Sequence, residues 1–138
     1  MAQGSSLLTI HSSNSSRVLR IEVPARSYLT ATLEGHGLSG SVEVWLETGD
    51  AEGLAQFFGE LGCVETPWDG VRAWASIESD LLLSATCTRL GAVTFHISMS
   101  GLQGSSEEWR LQAGLETEFG QLRRLATEAE ALVDEGAT

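Results

Sequence analysis

The chain has 138 residues, 42% hydrophobic and 20% charged, the balance of one ordinary globular domain. Nineteen acidic residues stand against eight basic ones, all arginine, for a formal charge of −11. That excess argues against nucleic acid as a partner, because phosphate binding rests on Lys and Arg, and it favours encounter with a basic protein. No apolar run reaches the roughly 18 residues of a membrane span, and Met1–Gly4 lacks the basic and apolar regions of a secretory signal. A cytoplasmic location and no membrane contact are therefore expected, and the exclusive use of arginine fits a high-GC bacterial genome.

In chain order, Leu7–His11 reads as a first short strand and Ser12–Ser16 as a turn. From Arg17 to Val23, apolar Leu19, Ile21 and Val23 alternate with Val18, Arg20 and Glu22, and Pro24 marks a strand end or edge. Tyr28–Glu34 and Ser39–Glu47 follow as strands around the turn Gly35-His36-Gly37. Asp50 is placed to cap a helix carrying Leu54, Phe57, Phe58 and Leu61, and Gly62 is the expected stop. After the turn Thr66–Gly70, a strand is expected from Val71 to Glu78.

From Asp80 to Glu116 the alternation is nearly unbroken. Leu81, Leu83, Ala85 and Cys87 fall on one side of the first run; Val93, Phe95, Ile97 and Met99 on one side of the second; Trp109, Leu111, Ala113 and Leu115 on one side of the third. Side chains in a strand point alternately to opposite faces, so this is an antiparallel sheet with one buried face. A last helix is expected over Thr117–Asp134, with Phe119, Leu122, Ala126, Ala129 and Val133 as its apolar stripe, widened by Leu125 and Leu132. The fold class is α+β: an antiparallel sheet of about seven or eight strands in ββββαββββα order, with two helices packed on it. Residues 1–138 form a single domain whose ordered core is about 7–134, with frayed ends at 1–6 and 135–138.

Trp68-Asp69-Gly70-Val71-Arg72-Ala73-Trp74 is the densest cluster of distinctive residues. With Asp80-Leu81-x-Leu83-x-Ala85, the helix ending Phe57-Phe58-x-x-Leu61, the isolated Trp109 and Gln121-Leu122-x-x-Leu125-Ala126, it resembles the DUF6228 family over roughly residues 28–133. The resemblance implies small bacterial proteins of actinobacterial type, forming one compact domain, and supplies no activity. Two places depart from the family pattern: Gly91-Ala92 stands where Gly-His is expected, and the last helix opens with Glu116-Thr117-Glu118-Phe119-Gly120. Any catalytic role of that family histidine is absent here.

Chemistry-bearing residues are sparse. Cys63 and Cys87 have no metal-ligand spacing, and Cys87 falls in phase with a buried strand face. His11, His36 and His96 are scattered, and there is neither a Gly-x-Ser-x-Gly elbow nor a phosphate loop. No metal, no cofactor and no catalytic residue is expected. Arg72 and Trp74, two apart on one strand, read either as a clasp in which Arg72 pairs with Asp69 and Trp packs, or as an interface hot spot of the residue types that dominate binding. Trp45, flanked by Glu43 and Glu47, and His96 fall on phases opposite their strands' apolar sets. Trp68, Asp69, Arg72, Trp74, Trp45 and His96 are thus the candidate binding residues, with Arg72, Trp74, Trp45 and His96 expected together on an outward sheet face.

The function expected is a non-enzymatic, acidic interaction protein of the immunity type, neutralising a basic toxin. The alternative is a small-molecule binder or enzyme with a pocket between sheet and helix, and a homodimer through the outward face or an edge strand is a third arrangement.

Overall fold

The computed structural model describes residues 7–25, 28–46 and 50–137. Strands β1 (Leu7–His11), β2 (Val18–Ala25), β3 (Tyr28–Gly35) and β4 (Leu38–Trp45) form an antiparallel sheet in that order. Helix α1 (Asp50–Cys63) leads to β5 (Arg72–Ala75), β6 (Leu81–Cys87), β7 (Ala92–Gly101) and β8 (Trp109–Glu118), a second antiparallel sheet, also in chain order. A single 3₁₀ turn, Phe119–Gln121, then enters helix α2 (Leu122–Ala137). The ββββαββββα order and the α+β class hold, with the eight strands divided into two sheets of four.

Register follows the hydrophobic alternation, because a slip of one residue would turn every apolar side chain to the other face. In the first sheet Ile21 pairs with Leu8 and Ala31, and Leu29 with Val44. In the second, Leu83 pairs with Ile97, Ala85 with Phe95, and Phe95 with Leu115. Pro24 sits where the β2–β3 register shifts between Glu22 and Ala25, and an irregular ladder tolerates a residue that lacks an N–H.

The apolar faces of both sheets and of both helices close a single core. The sheets meet where β4 lies against β7 and β1 against β8, while α1 and α2 pack on each other and reach β5, β1 and β2. Phe58 of α1 meets Phe95 of β7 with ring centroids 6.0 Å apart, so the first helix is anchored on the middle of the second sheet. Gly40 of β4 allows the close approach: a Cβ there would lie 2.5 Å from Leu111 Cδ1 of β8.

Several expected boundaries are revised, among them the end of β2, which runs through Pro24 to Ala25, and the bounds of β4. The first helix continues past Leu61 to Cys63, so Gly62 lies inside its last turn. The strand expected over Val71–Glu78 is reduced to Arg72–Ala75, because Ser76 turns the chain: its hydroxyl accepts the Leu81 N–H at 3.2 Å and its carbonyl accepts the Ser79 N–H at 2.9 Å. The last helix starts later, because Thr117 and Glu118 remain in the ladder with Val93 and Ala92, and the Phe119 N–H still bonds the Gly91 carbonyl at 2.9 Å. That helix then runs to Ala137 and buries Leu122, Leu125, Ala129 and Leu132, with Ala126 and Phe119 only half-buried. Glu47, residues 1–6 and the side chains of Asp50 and Val133 lie outside the described residues.

Candidate functional site

The Trp68–Trp74 phrase is built around a turn in which Gly70 holds φ +84°, a conformation that side chains with a Cβ rarely adopt. Trp68 is buried, with its ring 6.5 Å from that of Phe119. The Arg72 guanidinium carbon lies 5.9 Å from the centroid of the Trp68 ring, and its carboxylate partner is Glu60 of α1 at 3.7 Å. The expected clasp with Asp69 is thus replaced by one to the helix, which lies beside this strand face. Trp74 also meets α1: a Cβ on Gly53 would lie 3.3 Å from its Nε1. Asp69 is exposed at the turn.

Arg72 and Trp74 therefore point toward α1, on the same sheet face as their ladder neighbours Ala85 and Leu83. The expectation that they share the outward face with His96 is corrected, and Val71, Ala73, Ala75 and Ile77 are the exposed set. On a short strand beside a helix, a Trp and the Arg stem offer far more area to bury than two alanines do, and this decides which face turns inward.

Trp45 lies on the other sheet. It pairs with Tyr28 in the β3–β4 ladder, and the two rings meet edge to face at 5.2 Å. The six candidates thus occupy three places: the β5 turn packed on α1, the outer face of the first sheet, and, for His96, the outer face of the second.

That last surface has a shape of its own. Its ladder rows run Ala73–Ser84–His96–Gly114 and Ala75–Leu82–Ser98–Gln112. Small residues dominate both rows, and they leave a trough of about 700 Å³ across the four strands. His96, Leu82, Gln112 and Gly114 are exposed in it, on the side of the sheet away from the core. The sequence signal for this surface is not an aromatic outward set but the run of alanine, serine and glycine at outward positions, which makes a hollow.

Cys87 is half-buried, and its thiol donates to the Thr88 carbonyl at 3.3 Å. Desolvation pushes its pKa above the ordinary thiol value, against the opposing effect of a bond from the Trp68 backbone N–H. It is thus a poor nucleophile, since the thiolate is the reacting form. Among the described residues no three His, Cys, Asp or Glu side chains converge to hold a metal ion. No described helix is long and apolar enough to cross a membrane.

Two antiparallel sheets, two helices and an open hollow on one outer sheet face define an α+β domain with a built surface and no assembled group of reactive side chains among the described residues. The chain belongs to a family of unknown function, DUF6228, whose model matches residues 11–136. No curated protein and no solved structure matches it.

Proposed function

We propose that this chain is a non-enzymatic binding protein that presents the outer face of its second sheet to a basic protein, as an immunity-type protein neutralising a basic toxin would. The observation that carries the reading is the trough of about 700 Å³ over β5–β8, open to solvent and lined by small, neutral side chains around His96. Its floor excludes little and accepts inserted side chains, which is the geometry of a receiving surface. The formal charge of −11 supplies the long-range attraction that speeds encounter with a cationic partner. Both components belong in the cytoplasm in this reading.

The size of the trough also favours a second reading, a small-molecule site, since ligand pockets span about 300–1,000 Å³. That site lies on the sheet face away from the helices, rather than between sheet and helix.

Gly114 supplies the test. It sits in the trough beside His96, and a Cβ there would meet only Thr94 Cγ2 at 3.8 Å, an ordinary contact. Gly114→Arg therefore fills the hollow while keeping the fold. A partner co-purified from the source cells is expected to bind the wild-type protein with an association rate that falls as salt rises, and to lose at least about tenfold in affinity to Gly114→Arg. Calorimetry in which Gly114→Arg binds that partner as well as wild type removes the trough from the interface and the reading with it. Thermal stabilisation by a small molecule, lost in Gly114→Arg, transfers the site to the second reading.

A further inference from the structure

Each of the two sheets has two edges, and the outward backbone of two of these, β1 and β8, is bonded by other parts of the chain. On β1, the Thr9 N–H is taken by the Glu128 carboxylate at 2.9 Å and its carbonyl by the Arg124 guanidinium at 3.1 Å. On β8, the Gly114 carbonyl accepts from the Arg17 guanidinium at 2.8 Å and the Glu116 carbonyl from the Ser13 N–H at 2.9 Å. β4 packs its inner face on the second sheet, where Gly40 meets Leu111, and its Ser39, Ser41 and Glu43 are exposed.

β5 is different. The Ser76 N–H bonds the Leu81 carbonyl at 3.0 Å, which fixes the parity of the β5–β6 ladder. Trp74–Leu83 and Arg72–Ala85 are then the hydrogen-bonded pairs, and Ala73 and Ala75 turn their N–H and C=O groups away from β6. Both alanines are exposed, and no described group bonds their outward backbone. An open row of this kind is a template for another strand.

The surrounding charge selects the occupant. Asp69 precedes the strand, Glu78 and Asp80 follow it, and the one cation within it, Arg72, is already paired with Glu60. Antiparallel pairing with a second copy would set the Asp69 end of one strand against the Glu78 end of the other, like charge on like. A basic extended segment meets no such conflict. We infer that the β5 edge takes a basic, extended segment of a partner protein as a fifth strand of the second sheet, bonded to the Ala73 and Ala75 backbone. Its alternate side chains then lie beside the alanines and enter the trough. This inference rests on the reading of the outer face as a binding surface.

The probe is an acetylated peptide of alternating valine and arginine, followed by NMR on the isotopically labelled protein at low salt. The Ala73 and Ala75 amides are expected to shift and to exchange more slowly with solvent, while a valine–glutamate peptide leaves them unchanged. Ala75→Pro removes an outward N–H and places a ring on the edge without touching the ladder to β6, a substitution that edge strands tolerate. It is expected to weaken peptide binding by about tenfold or more, and Ala75→Arg, which keeps the backbone intact, to weaken it through repulsion.

Peptide-induced shifts confined to Ser84, His96 and Gln112, with Ala75→Pro and Ala75→Arg binding as wild type does, overturn the edge inference while leaving the outer-face reading standing. Dimerisation of the wild-type protein by light scattering, abolished in Ala75→Pro, makes a second copy the occupant and overturns the basic partner. No change at any residue also overturns the edge inference, and the co-purified partner tested against Gly114→Arg then judges the outer-face reading separately.

Discussion

At Gly62 the two helices come as close as their backbones allow. A Cβ there would lie 2.6 Å from the Ala126 Cβ and 3.2 Å from the Leu122 carbonyl oxygen. In sequence, a glycine after an apolar helical stripe reads as a stop, since glycine suits the left-handed residue that ends many helices. Here its φ is not positive, and the helix passes through it. Close packing and helix termination leave the same residue at the same place, so the sequence alone does not separate them. Gly62→Val is expected to force the helices apart and cost about 1–3 kcal/mol, as overpacking of a tight contact does. Urea unfolding checks this as a lower midpoint with an unchanged slope.

At the scale of elements, the strands of both sheets are largely legible because each has a clear apolar set, and β1 keeps its expected ends. β5 was legible as a strand but not in orientation. Its sequence offers Arg72 and Trp74 on one side and Ala73 and Ala75 on the other, and alternation alone does not say which pair faces a helix whose position depends on the whole fold. The trough is not legible in the sequence for a related reason, since small outward residues form a hollow only when four strands bring them into register. Edge protection of β1 is likewise a tertiary fact. Glu128 accepts from the Thr9 N–H and pairs with Arg124 at 2.6 Å. Glu128→Ala is expected to leave a part-buried N–H without its acceptor, at a cost of about 1–2 kcal/mol. Hydrogen exchange checks it: the Thr9 amide exchanges faster, and the β6 amides keep their protection relative to global unfolding.

For the whole molecule, the dominant electrostatic quantity is the charge of −11, which makes the folded chain repel itself. Three of the described ion pairs do little to offset it. Arg20–Glu34, Arg72–Glu60 and Arg110–Glu108 all have both side chains substantially exposed, where such pairs contribute little. Raising sodium chloride from about 20 mM to about 500 mM, which shortens the screening length from roughly 20 Å to under 5 Å, is expected to raise the thermal midpoint. Scanning calorimetry across that range checks it, and a falling midpoint means that attractive pairs dominate instead.

The same protein carries a debt of order into its synthesis. Thr9 is bonded by residues 115 and 119 positions away, so the first strand's outer edge is closed only by the last helix. Contacts this distant along the chain slow folding, because the closure entropy of the intervening segment must be met before they form. On a ribosome the β1–β2 hairpin can pair early, but its edge stays open until Arg124 and Glu128 have emerged. The nascent chain is therefore prone to mispairing until α2 has emerged, and that helix acts as the element that ends the exposure.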